Sequence, residues 1–268
     1  MKKILIIGCA VLAVISSNAQ QKEGRVVYER TIQMQISFQG LGDEVERSIP
    51  KSRTDKMEVL FGNNQSLRRS LPDDTPEDDN NGTPGMRIQM FGGGSDDITY
   101  FNFDEQRSAN QTEFATKKYI IADSIHKMNW KLTGESKTIL GFPCQKAMTQ
   151  RIGKRMMTTM DNGQMKRQEM ADTSNIAAWF TSSIPVSAGP EYQGQLPGLI
   201  MEIDINDGRT TYKAIEISPK VDLAVIKEPK SGKKITQDAF NKERVKALDE
   251  MQKNMGGGGN RRFVQISQ

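Results

Sequence analysis

Residues 176–205 read IAAWFTSSIPVSAGPEYQGQLPGLIMEIDI, and this stretch decides the fold class. An apolar run through Trp179 and Phe180 enters a loop broken by Pro185, Gly189, Pro190 and Gly194. A Leu196-Pro197-Gly198-Leu199 turn then launches a second apolar run, Leu199 to Ile205. Runs of five to seven residues, bounded by Pro and Gly, read as strands of a sheet rather than helices. In the second run Leu199, Met201, Ile203 and Ile205 are expected on one face, with Glu202 and Asp204 on the other. Proline at the second position and glycine at the third suit a type II turn, which predicts positive φ at Gly198.

Working outward, the same grammar recurs. Val26, Tyr28, Ile32, Met34, Ile36 and Phe38 alternate with Glu29, Thr31, Gln33, Gln35 and Ser37, with Arg30 interrupting the apolar face. This predicts a long strand with one wet face, as in an antiparallel sheet. Further strands are predicted at Asp55–Phe61, Met86–Phe91, Ile98–Phe103, Arg107–Ala115, Lys117–Ala122, Met128–Thr133, Gln145–Ile152, Arg155–Thr159 and Met165–Met170, and at Thr210–Ile217 after an Asp207-Gly208 turn. Phe240, Val245, Leu248 and Met251 recur at helical spacing, so Asp238–Met255 is expected to be an amphipathic helix, ended by Gly256–Gly259. The fold class is therefore mainly β: an antiparallel meander sheet, able to curl into an open half-barrel, with one C-terminal amphipathic helix.

The chain divides by composition. Lys2 and Lys3, the apolar run Ile4–Ile15 and Ser17-Asn18-Ala19 have the pattern of a secretory signal cleaved after Ala19. Residues 20–235 form the β domain and 236–268 the helix and Gly-rich tail. Within the domain, residues 62–97 carry DDTPEDDNNGTPG and FGGGSDD, and are expected to be a mobile surface insertion. The acidic run Asp73–Asp79 lacks the spacing of a calcium loop.

Lys and Arg number 37 against 33 Asp and Glu. So slight an excess gives no electrostatic footprint for nucleic acid. No run approaches the ~20 apolar residues of a membrane span. Cys144 is the only cysteine beyond the signal, so no internal disulfide is available to the mature chain.

Gln195-Leu196-Pro197-Gly198-Leu199-Ile200 resembles the signature of the GLPGLI family of exported Bacteroidetes proteins. Trp130-Lys131-Leu132, Thr138–Ala147, Ala178–Thr181, Ile184-Pro185 and Gly189-Pro190 extend the resemblance. Gln195 departs from the pattern, standing where the signature begins with glycine. The resemblance implies an envelope protein, periplasmic, outer-membrane-associated or secreted, of unknown activity; it brings no catalytic residues.

The residues themselves assign Leu196, Pro197, Gly198, Leu199 and Ile200 a structural role, setting the register between two core strands. Trp130, Trp179 and Phe180 are the candidates for a ligand face, with core packing the favoured reading of both tryptophans. Met156, Met157 and Met160 are weak candidates for Cu(I), for which adaptable packing is the simpler account. His126, near Asp123 and Ser124, lacks a nucleophile elbow and reads as a surface histidine. Cys144 reads as a half-buried packing thiol. No cofactor is implied. The expected function is a non-enzymatic binding or accessory role with an unknown envelope partner or apolar ligand; the alternatives are an apolar-ligand carrier, a Met-based Cu(I) binder and an envelope hydrolase.

Overall fold

The computed structural model describes residues 21–33, 51–72, 97–161 and 164–255. The expected signal, the strand residues beyond Gln33, the acidic run, Met86–Phe91 and the Gly-rich tail lie outside them.

The chain forms β1 (Gly24–Gln33), β2 (Ser52–Gly62), β3 (Gln65–Ser70), β4 (Ile98–Asn102), β5 (Arg107–Phe114), β6 (Lys117–Ser124), β7 (Lys131–Ile139), β8 (Phe142–Asp161), β9 (Gln164–Thr181), β10 (Leu199–Ile205), β11 (Thr210–Ser218) and β12 (Lys233–Ile235), followed by helix α1 (Gln237–Met255). All twelve strands join one sheet in the order β12-β6-β5-β4-β3-β2-β1-β11-β10-β9-β8-β7. Every pairing is antiparallel except β12 with β6. The expected meander is thus two meanders. One runs from β1 to β6; the chain then crosses to the opposite edge and returns from β7 to β11, which closes against β1.

That crossing dictates the curvature. Strands β6 and β7 stand ten strand steps apart, about 48 Å in a flat sheet. Residues 125–130 alone connect them, and Ser124 to Lys131 spans at most about 25 Å fully extended. No flat sheet lets so short a link bridge the gap, so the sheet is strongly bent, though not closed.

Three differences from the sequence reading have local causes. The stretch expected to be a mobile insertion opens with an ordered strand, β3, because Asn63 and Asn64 both take left-handed φ (50° and 54°) and turn the chain straight back onto β2. The strands expected separately at Gln145–Ile152 and Arg155–Thr159 are one, β8, which runs through Gly153: β8 and β9 pair without a shift from Gln145↔Phe180 to Asp161↔Gln164. At 206–209 the expected two-residue turn is a four-residue loop, in which Asn206, Asp207 and Gly208 all have positive φ.

Val26, Tyr28, Val59, Phe61, Ile176, Phe180, Met201 and Ile203 build the main core on the face against which Met128 and Trp130 of the short link also pack, the face toward which the sheet bends. Leu60, Leu67, Tyr100 and Ala109, direct partners across four strands, form a second core that Ile226 covers. Helix α1 is capped by Thr236, the residue before it, whose hydroxyl accepts from Ala239 N at 3.3 Å. It docks through Phe240, with ring centroids 5.2 Å from Tyr119 and 6.2 Å from Phe114. Val245, expected on the apolar face, is exposed instead, while Glu243, one turn on from Phe240, accepts from the Tyr119 hydroxyl at 2.8 Å.

Candidate functional site

Residues 182–198 leave β9, fold over the concave face and re-enter the sheet as β10. Ile184, Val186, Ala188 and Leu196 are buried in the main core. Turns of three residues carry the chain: Val186 N donates to Ile184 O at 2.8 Å, Ala188 N to Val186 O at 2.7 Å, and Gly198 N to Leu196 O at 2.9 Å. Pro185 and Pro197 sit at the centres of two of these, where their fixed φ fits an inverse γ-turn. Leu199 N returns to Ile184 O at 3.0 Å, closing the loop on itself.

The expected type II turn is therefore not what Pro197-Gly198 makes, and Gly198 does not adopt positive φ. Gly198 is required for space: a Cβ there would lie 2.2 Å from the carbonyl oxygen of Thr181. Positive φ belongs to Tyr192 (54°) and Gly194 (74°), four residues and more upstream. In β10 a bulge between Ile200 and Glu202 also breaks the expected alternation, so Leu199, Ile200, Met201 and Ile203 are all buried.

Beneath the loop runs a polar network. Arg30 on β1 grips Asp55 on β2 with two parallel bonds, Nε to Oδ1 at 2.9 Å and Nη2 to Oδ2 at 2.6 Å. Tyr212, opposite Arg30 on β11, donates to Glu191 of the loop at 3.4 Å. Arg68 on β3 donates to the Glu191 carboxylate, to Pro190 O at 2.6 Å and to Thr99 Oγ1 at 3.1 Å. Ser66, on the same strand, donates to Gln193 Oε1. Burial opposes the charge on Arg68, yet the Glu191 carboxylate and Tyr212 together outweigh it and raise the pKa. Burial first, and Glu191 second, push the Tyr212 hydroxyl well above its ordinary value. Two carboxylates and two guanidiniums lie together here, each engaged with an opposite charge; the arrangement fastens the loop to the sheet.

The link 125–130 is fastened to the same loop. Lys127 Nζ donates to Gly194 O at 2.5 Å, and the Trp130 and Tyr192 rings meet edge-on with centroids 5.8 Å apart. Gln195, the residue that departs from the signature, accepts from Met128 N at 2.9 Å and donates to His126 O. Sequence reasoning missed Arg30, Arg68, Glu191 and Tyr212. The one signal was Arg30, a charge on an otherwise apolar strand face.

The sequence candidates scatter. Trp179 and Phe180 are neighbours on β9 and project to opposite faces. Phe180 is 2% exposed in the main core. Trp179 is half-buried with Lys137 Nζ 4.3 Å from its ring centroid and Lys146 Nζ at 5.7 Å. Trp130 precedes β7 and packs on Tyr192, so the three aromatics do not line one patch. Met156, Met157 and Met160 stand on β8, and their side chains lie outside those described. His126 is exposed, its Nε2 3.3 Å from Asp123 Oδ1. Cys144 is fully buried rather than half-buried, and burial pushes its thiol pKa up. Among the described residues, no group of three or more His, Cys, Asp or Glu is placed to hold a metal ion.

The model of a family of proteins of unknown function (Porph_ging) matches residues 130–202, the span from Trp130 through the loop into β10. No curated protein matches the chain. Among solved structures the chain resembles PNGF-II in a C2 crystal form, at 15% identity and a TM-score of 0.50, and in a P21 form, at 14% and 0.49. In both, 84% of this chain covers about a third of that protein, 33% and 34%. At such identity the likeness is one of fold.

Proposed function

We propose that this chain is a non-catalytic binding or accessory protein of the cell envelope, of the GLPGLI type, exported by residues 1–19. The observation behind this reading is the use to which the concave face is put. In an open half-barrel that face is where a ligand or substrate would bind. Here Ile184, Val186, Ala188 and Leu196 of the chain's own loop occupy it, and Arg68, Glu191, Tyr212 and Ser66 fasten that loop down. Titratable groups that hold a scaffold closed are not poised to transfer protons or attack a substrate. The family resemblance, read on residues 128–205, points to the same span as the match to a family of unknown function.

A carrier of apolar ligands would need this loop to leave the core. The outer surface and the strand edges are then the parts left to meet a partner. Native mass spectrometry of the protein purified from its own envelope tests the reading. A retained protein or glycan partner supports it. A retained lipid would favour a carrier, and a partner-free protein that turns over envelope esters, peptides or glycans would overturn it.

A further inference from the structure

Strands β8 and β9 are the longest in the sheet, 20 and 18 residues, and they outrun their neighbours. Strand β7 pairs with β8 only as far as Met148, and β10 pairs with β9 only from Ile176 to Thr181. Beyond these points the two strands continue together to Asp161 and Gln164 as a two-stranded ribbon. Among the described residues no strand pairs with either outer edge of it, and only Asn175 at its base is held from outside, by Asn206. An isolated two-stranded ribbon is marginally stable in water, and a long open edge is a template for another strand.

Elsewhere among the described residues the open edges are short or interrupted. Strand β12 is three residues long and carries Lys233 and Lys234, and β7 is interrupted by a register shift around Gly134, at φ 82°.

The hydrogen-bonding frame of the free edge on β9 is fixed at its base. Asn206 N donates to Asn175 O at 2.9 Å, and Asn175 N to Asn206 Oδ1 at 2.8 Å, so Asn175 turns its backbone groups away from β8. The ribbon has no register shift. Thr173, Ala171, Glu169, Arg167 and Met165 therefore turn theirs outward as well.

We propose that this edge pairs with the same edge of a second copy of the chain, antiparallel about a two-fold axis through Gln168. In that register Arg167 stands opposite the second copy's Glu169, and Glu169 opposite its Arg167, while Met165 stands opposite its Ala171. Opposite charges facing across strands favour the pairing. The second copy's ribbon ends before Asn175, where Asn206 already takes the edge. The other edge is unsuited to self-pairing, since β8 carries Arg151, Lys154 and Arg155 with one acid, Asp161, at its tip. A two-fold pair of this kind closes on itself and gives a dimer rather than a fibre.

Sedimentation equilibrium of the purified full chain tests the proposal. The wild type sediments as a dimer. Ala171→Pro removes one outward N–H, leaves the bonds between β8 and β9 intact, and gives a monomer. Arg167→Glu and Glu169→Arg each weaken the dimer about tenfold or more by placing like charges opposite one another, and the double swap restores it. A wild-type monomer at every concentration, a dimer indifferent to Ala171→Pro, or a double swap no better than the singles would overturn the pairing. So would amides of Arg167 and Glu169 that resist hydrogen exchange in dilute monomer, since the edge would then be covered within one chain.

Discussion

The carbonyl oxygen of Thr181 lies 2.2 Å from the position a Cβ on Gly198 would occupy. The Thr181 carbonyl and the Gly198 backbone that would carry the Cβ stand at the two mouths of one loop, so neither can step aside without moving a core strand.

It follows that Gly198→Ala destabilises the protein by about 3 kcal/mol, the upper end of the usual cost of overpacking, because the surroundings are rigid. Gly208→Ala is the control. At φ 89° with nothing within 4 Å of an added Cβ, it bears backbone strain alone, about 1–2 kcal/mol. Urea unfolding of the two variants checks the order; equal losses would mean that the strands at Thr181 and Leu199 can part.

Tyr28 donates its hydroxyl to Ile200 O at 2.6 Å in the centre of the core, tying β1 to β10. Tyr28→Phe leaves that carbonyl unsatisfied and should cost about 1–3 kcal/mol. Burial raises the Tyr28 pKa far above its ordinary 10.0, and burial likewise raises that of Tyr212. A raised folded pKa means stability that is whole below pH 10 and falls as pH rises beyond it, because the unfolded chain releases the proton first. Melting temperatures measured from about pH 8 to about pH 11 should stay level and then drop as pH passes the ordinary tyrosine value of about 10. The drop should be shallower in Tyr28→Phe.

Acid reaches the fold through Glu58. It is buried on β2, with Arg25 Nε 2.5 Å from one carboxylate oxygen and Arg69 Nε 2.6 Å from the other. Burial alone would raise its pKa, but the bonds from Arg25 and Arg69 outweigh it and hold the group below 4.5. With a depressed folded pKa, the stabilisation is present above 4.5 and lost as pH falls through the folded value. Glu58→Gln should cost about 2 kcal/mol at neutral pH and flatten the acid limb of the stability curve.

Cys144 is 1% exposed, and its Sγ lies 3.4 Å from Phe142 O. Burial raises the thiol pKa, which keeps it protonated and a poor nucleophile. Labelling of Cys144 with a disulfide reagent should proceed at the rate of unfolding and go to completion in denaturant. Rapid labelling of the native protein would reopen a chemical role.

The sequence made the element types plain wherever period-two alternation was strong, as in Val26–Ile32 and Leu199–Ile205. It did not make the order plain, because nothing local in residues 125–130 tells that they cross to the far edge; the bending of the whole sheet does. It also hid β3, whose Gln65–Ser70 carries one large apolar residue, Leu67, on a face completed by Leu60 and Tyr100 from other strands. The polar network was illegible for the same reason. Arg30, Arg68, Glu191 and Tyr212 are far apart in sequence and meet through register and loop placement. The Leu-Pro-Gly-Leu turn was legible as structural while its geometry was not: the need for glycine comes from Thr181, a residue seventeen positions earlier that only the fold brings near.

Gln195 tests whether the link 125–130 is held by the loop or only lies beside it. Its amide accepts from Met128 N at 2.9 Å and donates to His126 O, so one side chain satisfies two backbone groups of the link. Gln195→Gly removes both bonds and adds backbone freedom next to Gly194. Two lost bonds at a partly exposed site should cost about 1–2 kcal/mol in urea unfolding. The loss should be local as well. Amide exchange should rise at Met128 while that of Tyr28 and Ile203 in the main core keeps its protection. Lys127→Ala, which removes the bond to Gly194 O, should loosen the same link to a lesser degree. Unchanged exchange at Met128 in both variants would mean that the packing of Trp130 on Tyr192, and not these bonds, holds the crossing in place.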